Sequence, residues 1–231
     1  MKKAIAILFF LLPISLSAGN RIYDPQIKSL QAVVNQDWLS PAVMRLYGND
    51  ILHVSFDELS HDYHRYIYRL EHCEANWTSS EGLFDADWLE GFNDNVIEDF
   101  DYSINTTVAY THYQLAIPNS KCRLKMSGNY RLHVIDEDQD KEVLTVEFMV
   151  TEQTMLISTT VSSNTDIDTN LCHQQVSFGL KYGNLSVTDP QEQLQTVVMQ
   201  NSREDNWRWN VRPSAVSQNG LEWKHRKELI Y

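Results

Sequence analysis

Acidic side chains are concentrated between residues 85 and 101, where they could bind Ca²⁺ or supply the carboxylate pair of a glycosidase. A calcium-binding loop needs a central glycine and fixed ligand positions, and this segment does not follow that pattern. No two carboxylates are set apart by their spacing as an acid and base pair. We therefore assign no catalytic residue here. The group consists of Asp85, Asp87, Glu90, Asp94, Glu98, Asp99 and Asp101.

Histidine side chains raise the separate question of a metal site. The candidates are His53, His61, His64 and His72, together with Cys73. They fall on different predicted strands and in a loop, without the fixed ligand spacing of zinc sites. We expect exposed histidines, no metal and no cofactor.

Three widely spaced cysteines, Cys73, Cys122 and Cys172, form no C-x-x-C motif and no zinc-type group. An odd count permits one intramolecular pair at most. Two interpretations stay open, a disulfide between Cys73 and Cys122 or small buried thiols.

Serine-nucleophile and phosphate-loop motifs are also absent from the sequence. We therefore expect a protein that is not an enzyme.

The elements that position these side chains are predicted to be β-strands, because apolar and polar residues alternate from Ile51 onward. Leu52, Val54 and Phe56 begin this pattern. It continues over residues 66–73, 106–117, 130–134 and 143–151, with a polar hairpin loop over residues 136–141.

Gly128, Asn129 and Tyr130 match the corner that precedes a central strand of immunoglobulin-like sandwiches. In that corner a glycine permits the turn, and the tyrosine hydroxyl bonds back to the chain. The predicted fold is therefore all-β, with an immunoglobulin-like β-sandwich domain over residues 22–150.

A second series of predicted strands follows a polar joint at residues 151–154. About five strands are fewer than the roughly seven of a complete sandwich. We therefore predict a second β-sandwich-like domain over residues 155–231 that is either truncated or completed by a part absent from this chain. Its strands are expected over residues 155–161, 174–182, 194–200 and 206–211 and within 220–231.

An insertion over residues 76–100 carries several aromatic residues among carboxylates. Loops of this length are usually functional or disordered, and this one is too aromatic to be disordered. Protein interfaces use aromatic anchors ringed by charge, although the same residues could instead cover one edge of the sandwich. The predicted interface residues are Trp77, Trp88, Phe92, Asn93 and Asp94.

The N-terminus has the features of a secretory signal peptide: Lys2 and Lys3, an apolar run over residues 4–12, and small residues up to Ala18. We assign residues 1–18 to this peptide and expect cleavage near Ser17 or Ala18. The apolar run is too short to span a bilayer, so no direct membrane span is expected.

The formal net charge of −12 repels phosphate groups, which argues against nucleic acid as a partner.

Five segments together resemble the plug proteins of the type IX secretion system of Bacteroidota. They are residues 68–77, 89–100, 105–113, 127–130 and 198–205. The resemblance extends over about residues 22–231. It implies a periplasmic protein with an N-terminal immunoglobulin-like domain and a second β domain. Its implied partner is the outer-membrane β-barrel translocon, which the plug occludes from the periplasmic side.

Members of that family continue beyond Tyr231, so the resemblance also implies a truncated second domain. The alternative function is a carbohydrate-binding or carbohydrate-cleaving β-sandwich, suggested by Trp77, Trp88 and the acidic insertion. That alternative requires an exposed row of aromatic side chains beside two suitably spaced carboxylates.

Overall fold

Residues 19–60, 62–183, 185–201 and 203–231 are described in the computed structural model of the chain. The predicted signal peptide over residues 1–18 lies outside these ranges, as does His61. None of the helices within the ranges has the length and hydrophobicity needed to cross a lipid bilayer.

The described residues form β-strands joined by loops and a few single helical turns. The first strands are β1 (Arg21–Ile22), β2 (Ile27–Val34), β3 (Val43–Arg45), β4 (Leu52–Glu58), β5 (Tyr66–Cys73), β6 (Leu89–Gly91), β7 (Asn95–Val96), β8 (Asp99–Tyr102), β9 (Thr111–Ile117), β10 (Cys122–Leu124), β11 (Gly128–Asp136) and β12 (Lys141–Thr151). The later strands are β13 (Leu156–Ser162), β14 (Gln175–Lys181), β15 (Val197–Val198), β16 (Arg208–Trp209), β17 (Ala215–Ser217) and β18 (Gly220–Trp223). The helical turns are α1 (Asp85–Trp88), α2 (Pro190–Gln193) and the 3-10 turns Glu204–Asn206 and Lys227–Leu229.

Strands β1 to β12 build a β-sandwich with two main sheets. One sheet has the order β1-β12-β11-β5-β7, with β3 parallel to the end of β12, and the other has the order β2-β4-β9-β8. Alternate side chains of both sheets enter one continuous core, which contains Phe56, Tyr113, Leu132 and Val146. This arrangement confirms the predicted all-β, sandwich-like fold class.

The central strands follow the predicted alternation closely. Strand β5 coincides with the predicted residues 66–73, with Tyr68 and Leu70 buried. Strand β11 pairs antiparallel with both β5 and β12. The prediction over residues 106–117 was wrong in its first part, because the strand begins only at Thr111. The preceding residues form a turn in which Thr106 Oγ1 donates to the Val108 carbonyl at 2.7 Å.

The predicted tyrosine corner is confirmed. The hydroxyl of Tyr130 donates a hydrogen bond of 2.7 Å to the carbonyl of Met126, four residues upstream. Gly128 has φ +152°, and a Cβ at this position would lie 2.3 Å from His72 Nε2. Only glycine therefore allows β11 to approach the histidine of the neighbouring strand so closely.

The described chain begins with a short strand that is tied to the sandwich by its polar groups. Strand β1 pairs with β12, where Arg21 lies opposite Thr145. The Gly19 N–H donates to Glu147 Oε2 at 2.6 Å, and the side chain of Glu147 is only 8% exposed. Glu147 also accepts a hydrogen bond of 2.9 Å from Arg131 Nη2.

Strands β13 to β18 build a smaller β unit with its own hydrophobic cluster. Its sheet has the order β13-β14-β18-β17, and its core contains Leu180, Tyr182, Leu221 and Trp223. Strands were predicted over residues 194–200 and 206–211, but the strands found there, β15 and β16, are two residues long. Strand β17 was not among the predicted strands. The two hydrophobic clusters share no residue. The division into two domains at residues 151–154 stays a prediction.

Candidate protein-binding surface

The aromatic insertion between β5 and β9 is anchored to the sandwich by Trp88. This side chain ends the single turn α1, is 2% exposed and packs against Tyr130 and His72. The turn begins where the Phe84 N–H donates to Asp87 Oδ2 at 2.9 Å. Burial of an indole contributes strongly to packing, so Trp88 fixes the position of its neighbours.

Gly91 brings the next part of the insertion against β10. Its φ is +104°, and a Cβ would lie 2.1 Å from the carbonyl oxygen of Lys121. Strand β6 pairs with β10 here, with Gly91 opposite Cys122. The close backbone approach holds the following residue, Phe92, at a defined place outside the sheet.

Asn93 fastens the insertion to the edge of β5 through its side-chain amide. Its Oδ1 accepts from the Leu70 N–H at 2.8 Å, and its Nδ2 donates to the Leu70 carbonyl at 2.9 Å. The amide thus satisfies both backbone groups of Leu70, as a neighbouring strand would. Asp94, at φ +64°, accepts a hydrogen bond of 2.6 Å from Arg69 Nε.

Phe92 and Phe84 are each 78% exposed although their neighbours are fixed. Asp85 connects the two parts, because its Oδ2 accepts from Asn93 Nδ2 at 2.9 Å. We name this region the aromatic-acidic surface. It consists of Leu83, Phe84, Asp85, Phe92, Asn93 and Asp94.

A groove of about 440 Å³ lies beside the aromatic-acidic surface on the outer face of β5 and β11. Its lining includes His133 and Glu71, whose Nε2 and Oε2 atoms are 3.3 Å apart. Arg131 Nη1 lies 3.1 Å from the same Glu71 oxygen. Partial burial opposes ionisation of Glu71, but hydrogen bonds from Ser79 and His133 and the charge of Arg131 hold its pKa below its ordinary value. The groove therefore has an ionised carboxylate in its wall at neutral pH.

Trp77 lies elsewhere, in an apolar cleft between the sandwich and the smaller β unit. It is half-buried and has φ +64°, and its carbonyl oxygen accepts a hydrogen bond of 3.0 Å from Arg131 Nη2. The cleft measures about 370 Å³, and its apolar lining includes Trp77, Met149, Val197, Met199, Trp207 and Trp209.

Comparison with known proteins identifies the family of this sandwich. Residues 27–152 match the model of the type 9 secretion system plug protein 1st domain. The chain belongs to the type 9 secretion system plug protein family. Membership suggests a location in the cell envelope.

One solved structure resembles nearly the whole of this plug-family chain. It is the crystal structure of a hypothetical protein from Parabacteroides merdae, with 38% sequence identity and a TM-score of 0.87. The match covers 92% of this chain and 54% of that one, so this chain spans about half the length of the solved protein. No curated protein gives a significant match.

The five predicted interface residues of the plug-family chain do not form one surface. Phe92, Asn93 and Asp94 lie together, whereas Trp77 lines the cleft and Trp88 belongs to the core. Because it is buried, Trp88 cannot be part of an exposed binding surface. Phe84 lies within the predicted insertion but was not among the predicted interface residues, and its position just before the Asp85–Trp88 turn was the signal available.

The two tryptophans that suggested the carbohydrate alternative do not make an exposed row, because Trp88 is buried and Trp77 is half-buried in a different place.

Cys73 and Cys122 are buried free thiols, as the second interpretation of the cysteines expected. Burial raises the pKa of the Cys73 thiol to about 12 and also raises that of Cys122. Both are therefore protonated and unreactive at neutral pH.

Proposed function

We propose that the chain is a periplasmic subunit that binds the outer-membrane translocon of the type IX secretion system and occludes it from the periplasmic side. The observation that carries this proposal is the match of residues 27–152 to the first domain of the plug proteins. Occlusion needs contact area and no bond-making step, so a rigid β-sandwich is sufficient for it.

The aromatic-acidic surface is the contact that we propose for the translocon. Phe84 and Phe92 offer large apolar side chains to solvent, and Asp85 and Asp94 lie beside them. Aromatic anchors with a polar rim supply much of the binding energy in protein interfaces. The backbone around Phe92 is already fixed by Gly91 and Asn93, so little ordering entropy is lost when a partner binds.

The test is co-purification of the tagged full-length chain from membranes of its own cell, followed by mass spectrometry. The wild-type chain is expected to recover a very large outer-membrane barrel protein. Phe84→Ala combined with Phe92→Ala should reduce that recovery roughly tenfold or more, because each lost anchor weakens binding by about 1 kcal/mol or more.

Trp38→Ala is the matched control, because Trp38 is an aromatic residue of the same sandwich that is 65% exposed and lies outside the proposed contact. Its recovery should equal that of the wild type. If the wild-type chain recovers no barrel protein, the plug function is wrong. If the wild type does so and the phenylalanine variant does too, the function stands and the contact surface is wrong.

A further inference from the structure

The loop between β13 and β14 gathers three side chains with different metal-ligating atoms. They are Asp168, Cys172 and His173, and one ligand atom from each lies within 4.8 Å of the others. No other such group of three or more is found among the residues that the structure describes. Their positions along the chain do not follow the fixed ligand spacing of zinc motifs, so the sequence alone does not predict this group.

The separations within this group are close to those of a tetrahedral zinc site. Cys172 Sγ lies 3.4 Å from His173 Nδ1 and 3.7 Å from Asp168 Oδ2. Zinc bonds of roughly 2.0–2.3 Å at tetrahedral angles place neighbouring ligand atoms about 3.3–3.6 Å apart. The remaining separation, His173 Nδ1 to Asp168 Oδ2, is 2.7 Å because the two atoms share a hydrogen bond. A metal that replaces this hydrogen bond needs the pair to open by only about 0.6 Å.

The loop already holds Asp168 in a suitable orientation. Thr165 Oγ1 donates to Asp168 Oδ1 at 3.0 Å, which leaves Oδ2 directed at His173 and Cys172. The Thr165 N–H donates to the Asp168 carbonyl at 2.8 Å, and the Asn170 N–H donates to the Ser163 carbonyl at 2.8 Å. Metal sites depend on such outer contacts to orient their ligands.

We propose that Asp168, Cys172 and His173 form a binding site for Zn²⁺ or a closely similar transition-metal ion. The donor set decides the class of ion, because thiolate and imidazole suit zinc, whereas Ca²⁺ and Mg²⁺ require oxygen ligands. Three protein ligands leave a fourth position open to water or to a group from another molecule. The site is reached from solvent, since Cys172 is exposed and the His173 side chain is 40% exposed.

The test is titration of the full chain with Zn²⁺ by calorimetry and with Co²⁺ by absorption spectroscopy, under reducing conditions. One equivalent of Zn²⁺ should bind, and Co²⁺ should give a thiolate-to-cobalt charge-transfer band. Cys172→Ser should abolish the band and raise the Kd for Zn²⁺ by more than about 100-fold, which exceeds the roughly 10- to 100-fold effect of losing an outer contact. His173→Gln should weaken binding similarly.

His112→Gln is the matched control, because His112 Nδ1 lies 2.6 Å from Asp57 Oδ1 in an imidazole–carboxylate pair of the first sandwich. This variant should bind Zn²⁺ as the wild type does. The proposal is wrong if the wild type binds no Zn²⁺. It is equally wrong if Cys172→Ser retains the wild-type Kd in a chain that circular dichroism shows to be folded.

Discussion

The first sandwich holds a buried carboxylate, Asp50, beside a largely exposed arginine. The Asp50 side chain is 7% exposed and lies 2.9 Å from Arg45 Nε. Hydrogen bonds from the side chain and backbone N–H of Arg45, and one from Asn35, hold the pKa of Asp50 well below its ordinary value. Because the folded-state pKa is lowered, the stabilisation is fully present above about pH 4 and is lost as the pH falls below that value.

Asp50→Asn should therefore lower the free energy of unfolding at pH 7 by about 2 kcal/mol, since it removes a charged hydrogen-bond acceptor. The difference from the wild type should shrink between pH 4 and pH 2.5. Urea unfolding at several pH values measures both effects. Asp140→Asn, at an exposed hairpin position, is the control and should change little. An equal loss at pH 7 and pH 2.5 would contradict the explanation.

The candidate surface could be predicted only in part from residue types. The segment from Phe92 to Asp94 was identified because aromatic and acidic residues are concentrated there. Trp88 also lies among aromatic and acidic residues in the sequence, yet the turn of α1 directs it into the core beside Tyr130. A loop has no periodicity, so its sequence does not say which side chains face solvent.

At the scale of elements, two glycines of the insertion allow the cost of a positive φ to be measured separately from the cost of a steric collision. Gly91 and Gly82 both have positive φ, but a Cβ at Gly91 would meet the Lys121 carbonyl oxygen at 2.1 Å, whereas at Gly82 nothing lies within 4 Å. Gly82→Ala tests the conformational cost alone, and Gly91→Ala adds a backbone collision.

Gly82→Ala is expected to lower the free energy of unfolding by about 1 kcal/mol, and Gly91→Ala by about 3 kcal/mol or more. Thermal and urea unfolding of the two variants measure these losses. Gly91→Ala should also weaken the pairing of β6 with β10, seen as faster amide exchange in both strands. Equal losses in the two variants would show that the close approach to Lys121 does not restrict this position.

Alternation of apolar and polar residues predicted the long strands of the first sandwich because each has one face in the core and one in solvent. The same argument fails for β15 and β16, which are two residues long. It also fails for the pairing of β6 with β10, which joins segments about 30 residues apart along the chain. Such pairings depend on tertiary contacts, and local sequence does not encode them.

At the scale of the whole molecule, the smaller β unit exposes apolar side chains on its edge strand β13. Among the residues that the structure describes, β13 pairs with β14 alone, and Leu156, Ile157 and Val161 are all more than half exposed. An exposed apolar edge strand favours pairing with another chain. We expect the chain to self-associate as its concentration rises.

Ile157→Lys should reduce this association, because a charge on an edge strand opposes pairing. Ile104→Lys is the control, since Ile104 is 81% exposed in a loop of the first sandwich. Sedimentation velocity under reducing conditions measures the outcome. A wild-type chain that stays monomeric over the whole concentration range would refute the expectation.

The hydrogen bond from Gly19 to Glu147 would link folding to processing if the predicted signal peptide is removed after Ala18. Cleavage of the signal peptide after Ala18 would make the Gly19 nitrogen an ammonium group, 2.6 Å from a carboxylate that is only 8% exposed. A chain that begins at Gly19 should be about 1.5 kcal/mol more stable than one that retains Ser17 and Ala18. Glu147→Gln should remove most of that difference, as urea unfolding of the four chains can measure. Equal stability of the two wild-type chains would contradict this assignment.

Export would then change the stability of the folded molecule. Removal of residues 1–18 would create a new charge, and that charge would hold β1 more firmly to β12 at the edge of the first sheet. A chain that kept these residues would have a looser first strand, which is the kind of difference that proteolytic quality control detects.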